Sequence, residues 1–177
     1  MSSTVSGSLS LNILAREILA SGIKKGVIDH SFSSLLDLPN GANDNQINRA
    51  YSKVETGIAA SVTTVYDLVG SLTDGEGVTM SITEVVLIAI RNLSSTAANW
   101  LSIGPDATAG FGAMASNKGF WADASDRNTL AADGDSWLVL YSKGGVPAAA
   151  ASTDELAVIT QGGTSLNTWQ ILVLGRT

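Results

Sequence analysis

The sequence predicts an all-β protein: an antiparallel β-sandwich, with a jelly roll as the expected form, and an extended N-terminal arm. Three observations predict it. Short segments with the two-residue period of half-buried strands recur along the chain, clusters of Gly, Asn, Asp and Pro separate them, and almost no segment carries a convincing helical stripe. The strongest instance runs from Thr63 to Asn92. Val65 and Tyr66 lead into Asp67-Leu68, and residues 70–77 read as a turn region. Val78, Met80 and Ile82 then alternate with Thr79, Ser81 and Thr83. Residues 85–90 are apolar without a break, as expected of a strand covered on both faces, and the run stops at Arg91-Asn92. At 177 residues the chain suits one domain and is long enough to bury a full core. Eight or more strands fit that length, which favours a jelly roll.

Taken in order, the elements begin with an ambiguity. Leu9, Leu11 and Ile13 alternate as in a strand, while Leu11, Leu14, Ala15, Ile18 and Leu19 match a helical stripe stopped by Gly22, so both templates fit residues 9–21. Residues 27–32 form a second strand candidate, Leu38-Pro39-Asn40-Gly41 a turn, and residues 46–51 a third strand. After the central block, residues 98–103 are expected as a strand carrying Trp100, ended by Gly104-Pro105. The stretch 105–126 is rich in Gly, Ala and Ser, with Phe111, Met114, Phe120 and Trp121 spaced through it as anchors of a long loop. Long connections of this kind are often functional, so these four residues are the candidate partner contacts. Residues 127–131 are a short strand before the turn Ala132-Asp133-Gly134-Asp135. Trp137, Val139 and Tyr141 alternate with Leu138 and Leu140, predicting a strand buried on both faces. Residues 143–152 read as a loop, and residues 156–160 and 168–174 close the sheet across Gln161-Gly162-Gly163-Thr164.

Composition bounds the function classes. Only 15% of residues are charged, against about a quarter in an ordinary domain, and Ala, Ser, Thr and 18 Gly fill the balance. Neighbouring subunits can cover such a surface without stripping water from many ions. A homo-oligomer is therefore expected. Residues 1–60 would supply an arm and the first strands, integrated in the sandwich or exchanged between subunits; residues 61–177 would form the sandwich core. Sixteen acidic and 10 basic residues leave a net charge of −6, which argues against nucleic-acid binding, since that requires clustered Lys and Arg. Lys24-Lys25, the only basic pair, reads as a solvated turn. No stretch approaches the ~20 apolar residues of a membrane helix, and the first residues lack the pattern of a secretory signal, so no membrane partner is expected.

The residues that carry chemistry form no recognisable catalytic pattern. With no Cys and one His, neither a disulfide framework nor an ordinary zinc site is available. His30 stands between Asp29 and Ser31, but three neighbours on an extended segment alternate between faces and do not converge as a triad does. Asp123, Asp126, Asp133 and Asp135 lack the spacing of a calcium loop and read as turn residues. Trp137 and Trp169 are expected in the core; Trp121 reads as a loop anchor, an inter-subunit knob or a ligand platform. No dinucleotide or phosphate loop occurs. The expectation is a protein without catalytic, metal or cofactor residues.

One resemblance adds to this reading. The run Asp67-Leu68-Val69-Gly70-Ser71-Leu72-Thr73-Asp74, followed by Val78-Thr79-Met80-Ser81-Ile82, the apolar strand and Arg91-Asn92, resembles a group of small structural proteins from the virions of tailed bacteriophages. Gly41-Ala42-Asn43, through Asn45-Gln46 to Arg49-Ala50-Tyr51, resembles the strand preceding that block. The likeness is loose, covers most of the chain, and departs at Glu76, where an aromatic or small apolar residue is expected. It implies two extended segments at the N-terminus, a sandwich or jelly-roll fold, and no catalytic residue. It further implies a non-enzymatic capsid decoration or cement protein, a dimer or trimer seated across junctions between major capsid subunits. Its expected location is the capsid surface, after a stay in the host cytoplasm. A head-to-tail or tail component, or a carbohydrate-binding module of a tail fibre, are the alternatives.

Overall fold

The structure, a computed structural model, describes residues 4–19, 26–74, 76–112, 119–162 and 166–177, with backbone alone over 12–19 and 26–32. Among the described residues it is all strand and turn, without helix. The N-terminal ambiguity resolves as strand. β1 (Gly7–Leu19) and β2 (Gly26–Leu38) pair antiparallel in unbroken register from Gly7↔Leu38 to Leu19↔Gly26. Cross-strand pairing satisfies the backbone here. Gly22 and Lys24-Lys25 lie outside the described residues.

Eight further strands form two four-stranded antiparallel sheets. They are β3 (Arg49–Ile58), β4 (Thr63–Asp67), β7 (Glu84–Asn92), β8 (Leu101–Pro105), β9 (Asn128–Leu130), β10 (Ser136–Pro147), β11 (Glu155–Thr160) and β12 (Asn167–Arg176). One sheet has the order β10-β7-β12-β3 and the other β4-β11-β8-β9; a small hairpin, β5 (Val69–Thr73) with β6 (Thr79–Ser81), lies between β4 and β7 in sequence. The pairing is nested: β3 with β12, β4 with β11, β7 with β10 and β8 with β9. Each nested pair lies within one sheet, so the two sheets stack as the layers of an antiparallel sandwich.

Both sheets contribute to one core. Ile88, Ile90, Trp169, Ile171 and Val173 from the first meet Tyr66, Leu101, Ile103, Leu130, Leu156 and Val158 from the second. Trp169, fully buried, donates its indole N–H to Tyr66 Oη at 3.0 Å, which ties one layer to the other. Burial pushes the Tyr66 hydroxyl far above its ordinary pKa, so it stays protonated. Asn92, also fully buried, closes one end of the sandwich. Its amide donates to the carbonyls of Asn99 at 3.1 Å and Ala131 at 2.8 Å, and its oxygen accepts the Ser94 N–H at 3.0 Å.

The opposite end is held by Arg176. Its guanidinium donates to Glu84 Oε2 at 2.6 Å and to the carbonyls of Asn43 and Gly144, both at 2.7 Å. Three segments distant in sequence thus converge on one buried cation. Gly145, at φ 72°, belongs to this design: a Cβ there would approach the guanidinium and Glu84 Cβ to 3.1 Å.

Several expectations need correction. The turn expected over 70–77 narrows, because Val69–Thr73 is strand β5. Asp74 supplies the turn itself, its Oδ1 accepting the N–H groups of Glu76 and Val78 at 2.9 Å. The strand expected at 46–51 starts at Arg49, and the one expected at 98–103 starts at Leu101, leaving Trp100 outside it. The loop expected over 143–152 is shortened, because β10 continues through a bulge to Pro147. Most important, β10 is not covered on both faces. Trp137, Val139 and Tyr141 are 55%, 42% and 38% exposed. Periodicity cannot show how many layers a fold has, and no layer covers that face among the described residues.

Replacing Arg176 with Met should lower the unfolding free energy by about 3 kcal/mol or more, since it strands Glu84 and two carbonyls. Arg176→Lys should restore less than half of the loss, because an ammonium cannot reach in three fixed directions. Urea denaturation of the three proteins measures both effects.

Candidate interaction surface

Residues directly opposite one another in an antiparallel pair share a face. On the outer side of the β10-β7-β12-β3 sheet this builds three rows. The first is Trp137, Arg91, Gln170 and Val54; the second Val139, Ala89, Leu172 and Ser52; the third Tyr141, Leu87, Leu174 and Ala50. Twelve positions contain one charged residue, Arg91.

That one charge is internally matched. Arg91 Nε meets Asp135 Oδ1 at 2.6 Å, and its guanidinium lies over the Trp137 ring at 5.1 Å. The same Asp135 oxygen accepts the Trp137 indole N–H at 2.7 Å. Tyr141 is likewise held, its hydroxyl donating to Asn45 Oδ1 at 2.6 Å. The two large aromatic groups of the face are therefore fixed before any partner arrives, and less conformational entropy is lost on contact. Between them lie shallow apolar hollows. One of about 140 Å³ is lined by Ala89, Arg91, Trp137, Gln170 and Leu172; another of about 220 Å³ is lined by Tyr141 with Leu9, Leu11, Leu35 and Leu36 of the arm.

The long loop is built differently from this face. Phe111 is fully buried, Trp121 is 5% exposed, and Phe120 packs edge-on against both rings. Met114 lies outside the described residues. The Gly112 carbonyl accepts the N–H groups of both Phe120 and Trp121, at 2.9 and 3.1 Å. Gly112 itself sits at φ 81°, where a Cβ would press into the Trp121 ring at 2.8 Å. Three backbone bonds to Glu155 hold the start of the loop: its carbonyl accepts from Asp106 and Phe111, and its N–H donates to Ala109. These aromatic residues anchor the loop to the core and offer a partner little surface.

The other residues singled out for chemistry do not converge. His30 falls at the register position opposite Ala15, in the part of the arm described by its backbone. Asp133 caps its turn by accepting from Ser136 Oγ at 2.7 Å and the Asp135 N–H at 3.2 Å. Asp123 does the same for Ser125, and these hydrogen bonds hold both carboxyls below the ordinary range. No group of three or more His, Cys, Asp or Glu among the described residues could hold a metal ion. A cleft of about 440 Å³ between β3 and β4 contains Lys53 and Glu55, paired with each other at 2.8 Å.

Trp121→Ala should lower the stability of the isolated protein by about 3–5 kcal/mol, the penalty for emptying a large core site. Chemical denaturation checks it, and an unchanged midpoint would mean that the ring is not a core anchor. Glu155 gives a pH test. Partial burial pushes its carboxyl above the ordinary 4.5, and the charge and hydrogen bond of Asp106, with Asp154 and Asp67, push the same way. The folded state then binds more protons than the unfolded state just above pH 4.5, so this residue's contribution to stability falls as pH rises through that window. Glu155→Gln should gain stability relative to the wild type as pH is raised from 4 to 7, on the order of the usual carboxylate titration range. Thermal unfolding across that range measures the difference.

No family model, curated protein or solved structure matches this chain.

Proposed function

We propose that this chain is a non-enzymatic structural subunit of a tailed-phage virion, a capsid decoration or cement protein that acts as a homo-oligomer bridging major capsid subunits. The observation that supports this reading best is the outer face of the β10-β7-β12-β3 sheet. It is broad, carries one internally matched charge, and presents pre-fixed Trp137 and Tyr141 to solvent. Apolar faces of that extent usually mark a contact surface. Aromatic groups held in place are the side chains on which binding energy concentrates. The resemblance of residues 67–92 to phage structural proteins supplies the setting, the host cytoplasm before assembly and the capsid surface after it.

The mechanism is mass action. A subunit that binds the assembled lattice and not the separated capsomers stabilises the shell by the free energy of that binding. At a free concentration 100 times the dissociation constant, each site adds about 2.7 kcal/mol.

A second reading has an observation in its favour. Trp137 and Tyr141 stand on one face with a shallow hollow beside Trp137, an arrangement that also suits stacking on a sugar ring in a tail-fibre module. A head-to-tail or tail component remains the rival within the structural class.

The test is addition of purified protein to phage heads prepared without it. Saturable binding, together with a rise in the temperature at which the heads release DNA, is the expected result. Binding to the tail or connector alone would move the subunit elsewhere in the particle, and retention on a glycan surface without head binding would favour the second reading.

A further inference from the structure

Asn40 is followed by Gly41, the one Asn-Gly pair in the sequence, and we propose that this pair is a self-modification site that the fold holds closed. The chemistry is intrinsic to the pair. A backbone nitrogen can attack the side-chain carbonyl carbon of a preceding Asn, and it does so fastest where its own residue has no side chain to crowd the approach. Here the Gly41 nitrogen bonds to Asn40 Cγ, the bond from Cγ to the carboxamide nitrogen breaks, and ammonia leaves with the Gly41 proton. Water then opens the cyclic imide at either carbonyl. The product is aspartate or, with the main chain rerouted through the side chain, isoaspartate.

The structure explains why glycine stands at this position. Gly41 has φ 154°, and a Cβ on it would collide with Gln46 Oε1, which accepts the Asn43 N–H at 3.0 Å. The turn thus excludes the side chain that would slow the reaction, and Asn40 is exposed to the water that completes it.

Both reacting groups are nevertheless occupied. The Gly41 N–H donates to the Ile47 carbonyl at 3.0 Å, and the Ile47 N–H donates to the Pro39 carbonyl at 3.0 Å. Asn40 Oδ1 accepts the Val5 N–H at 3.1 Å. Attack requires the Gly41 proton to leave, so the bond to Ile47 must open first. Ile47 is fully buried in the small core with Leu38 and Val86. The Asn43 carbonyl accepts from Arg176 at 2.7 Å, and the Asn45 N–H donates to the Lys143 carbonyl at 3.0 Å, which pins the loop further. The observed rate is therefore the intrinsic rate multiplied by the fraction of chains in which this loop is open.

Isoaspartate lengthens the main chain by one carbon and adds a negative charge, in a loop whose Asn45 accepts the Tyr141 hydroxyl. The modification turns a transient opening of the loop into a permanent loosening, and it carries that loosening to an aromatic anchor of the outer face.

The experiment uses the purified full-length chain and depends on neither the virion nor an oligomer. Incubation in mildly alkaline buffer, with and without concentrated urea, followed by peptide mass spectrometry, measures conversion of Asn40 to the acid. Conversion should be slower in buffer than in urea by more than about tenfold. Gln46→Ala removes the acceptor of the Asn43 N–H and leaves the reacting pair intact. It should speed conversion several-fold in buffer and leave the rate in urea unchanged. The converted fraction, separated by its added charge, should melt below the unconverted one. Equal rates in buffer and urea, or a Gln46→Ala chain that converts in buffer at the wild-type rate, would overturn the proposal. So would conversion confined to other asparagines, or a converted fraction whose melting is unchanged.

Discussion

A two-layer sandwich has one interior, and the β10-β7-β12-β3 sheet carries apolar side chains on both of its faces. Ile88, Ile90, Ile171 and Val173 fill the side toward the second sheet, while Ala89, Leu172, Leu174 and Val139 take the other. Burial stabilises a face by roughly 25 cal/mol for each Å² of apolar surface removed from water, and folding of one chain collects that gain on the inner side alone. The irregularity at Val86 shows where the two sides compete. The register shifts there, so Val85 joins the main core and Val86 joins the cluster beneath the arm. The outer face is left with apolar surface whose burial requires something beyond the sandwich.

Polar side chains restrict how the layers close around that constraint. At one end Arg176 gathers the Glu84 carboxylate and two backbone carbonyls, at the other Asn92 gathers three backbone groups, and the Trp169–Tyr66 bond crosses the core between them. Each is nearly or fully buried, so each bond is made in a poorly screened environment and leaving it unmade is costly. The result is a rigid frame. Asp135 and Asn45, which fix Trp137 and Tyr141, stand at the borders of that frame, which links the order of the outer face to the closure of the inner one.

Much of this was legible in the sequence. The all-β class followed from alternation and turn residues, and β7 was marked by its unbroken apolar run from Val85 to Ile90. Asp133 was marked as a turn former by its place in Ala132-Asp133-Gly134-Asp135, and Trp169 as a core residue by its alternating strand. The face that matters most was not legible. Trp137-Leu138-Val139-Leu140-Tyr141 is apolar at every position, so the pattern alone fits a strand with two covered sides; only the number of layers decides otherwise. The arrangement of Arg91 beneath Trp137 needed the β7/β10 register, which no local pattern encodes. The aromatic residues at 111, 120 and 121 were read as loop anchors and also as candidate partner contacts; the structure buries Phe111 and Trp121, and a loop rich in small residues does not reveal which way its aromatic side chains face.

The central claim is that the outer face is a contact surface left open in the single chain. Fluorine NMR of protein labelled with 5-fluorotryptophan tests it most directly, because Trp169 and Trp121 are buried while Trp137 and Trp100 reach solvent, and each resonance can be assigned by a Trp→Phe variant. On concentrating the protein, the Trp137 resonance should shift and lose its sensitivity to solvent deuteration, while that of Trp169 stays fixed. A Trp137 resonance that remains solvent-sensitive and unmoved while the mass of the particle in solution rises would contradict the claim, and would place the association surface elsewhere.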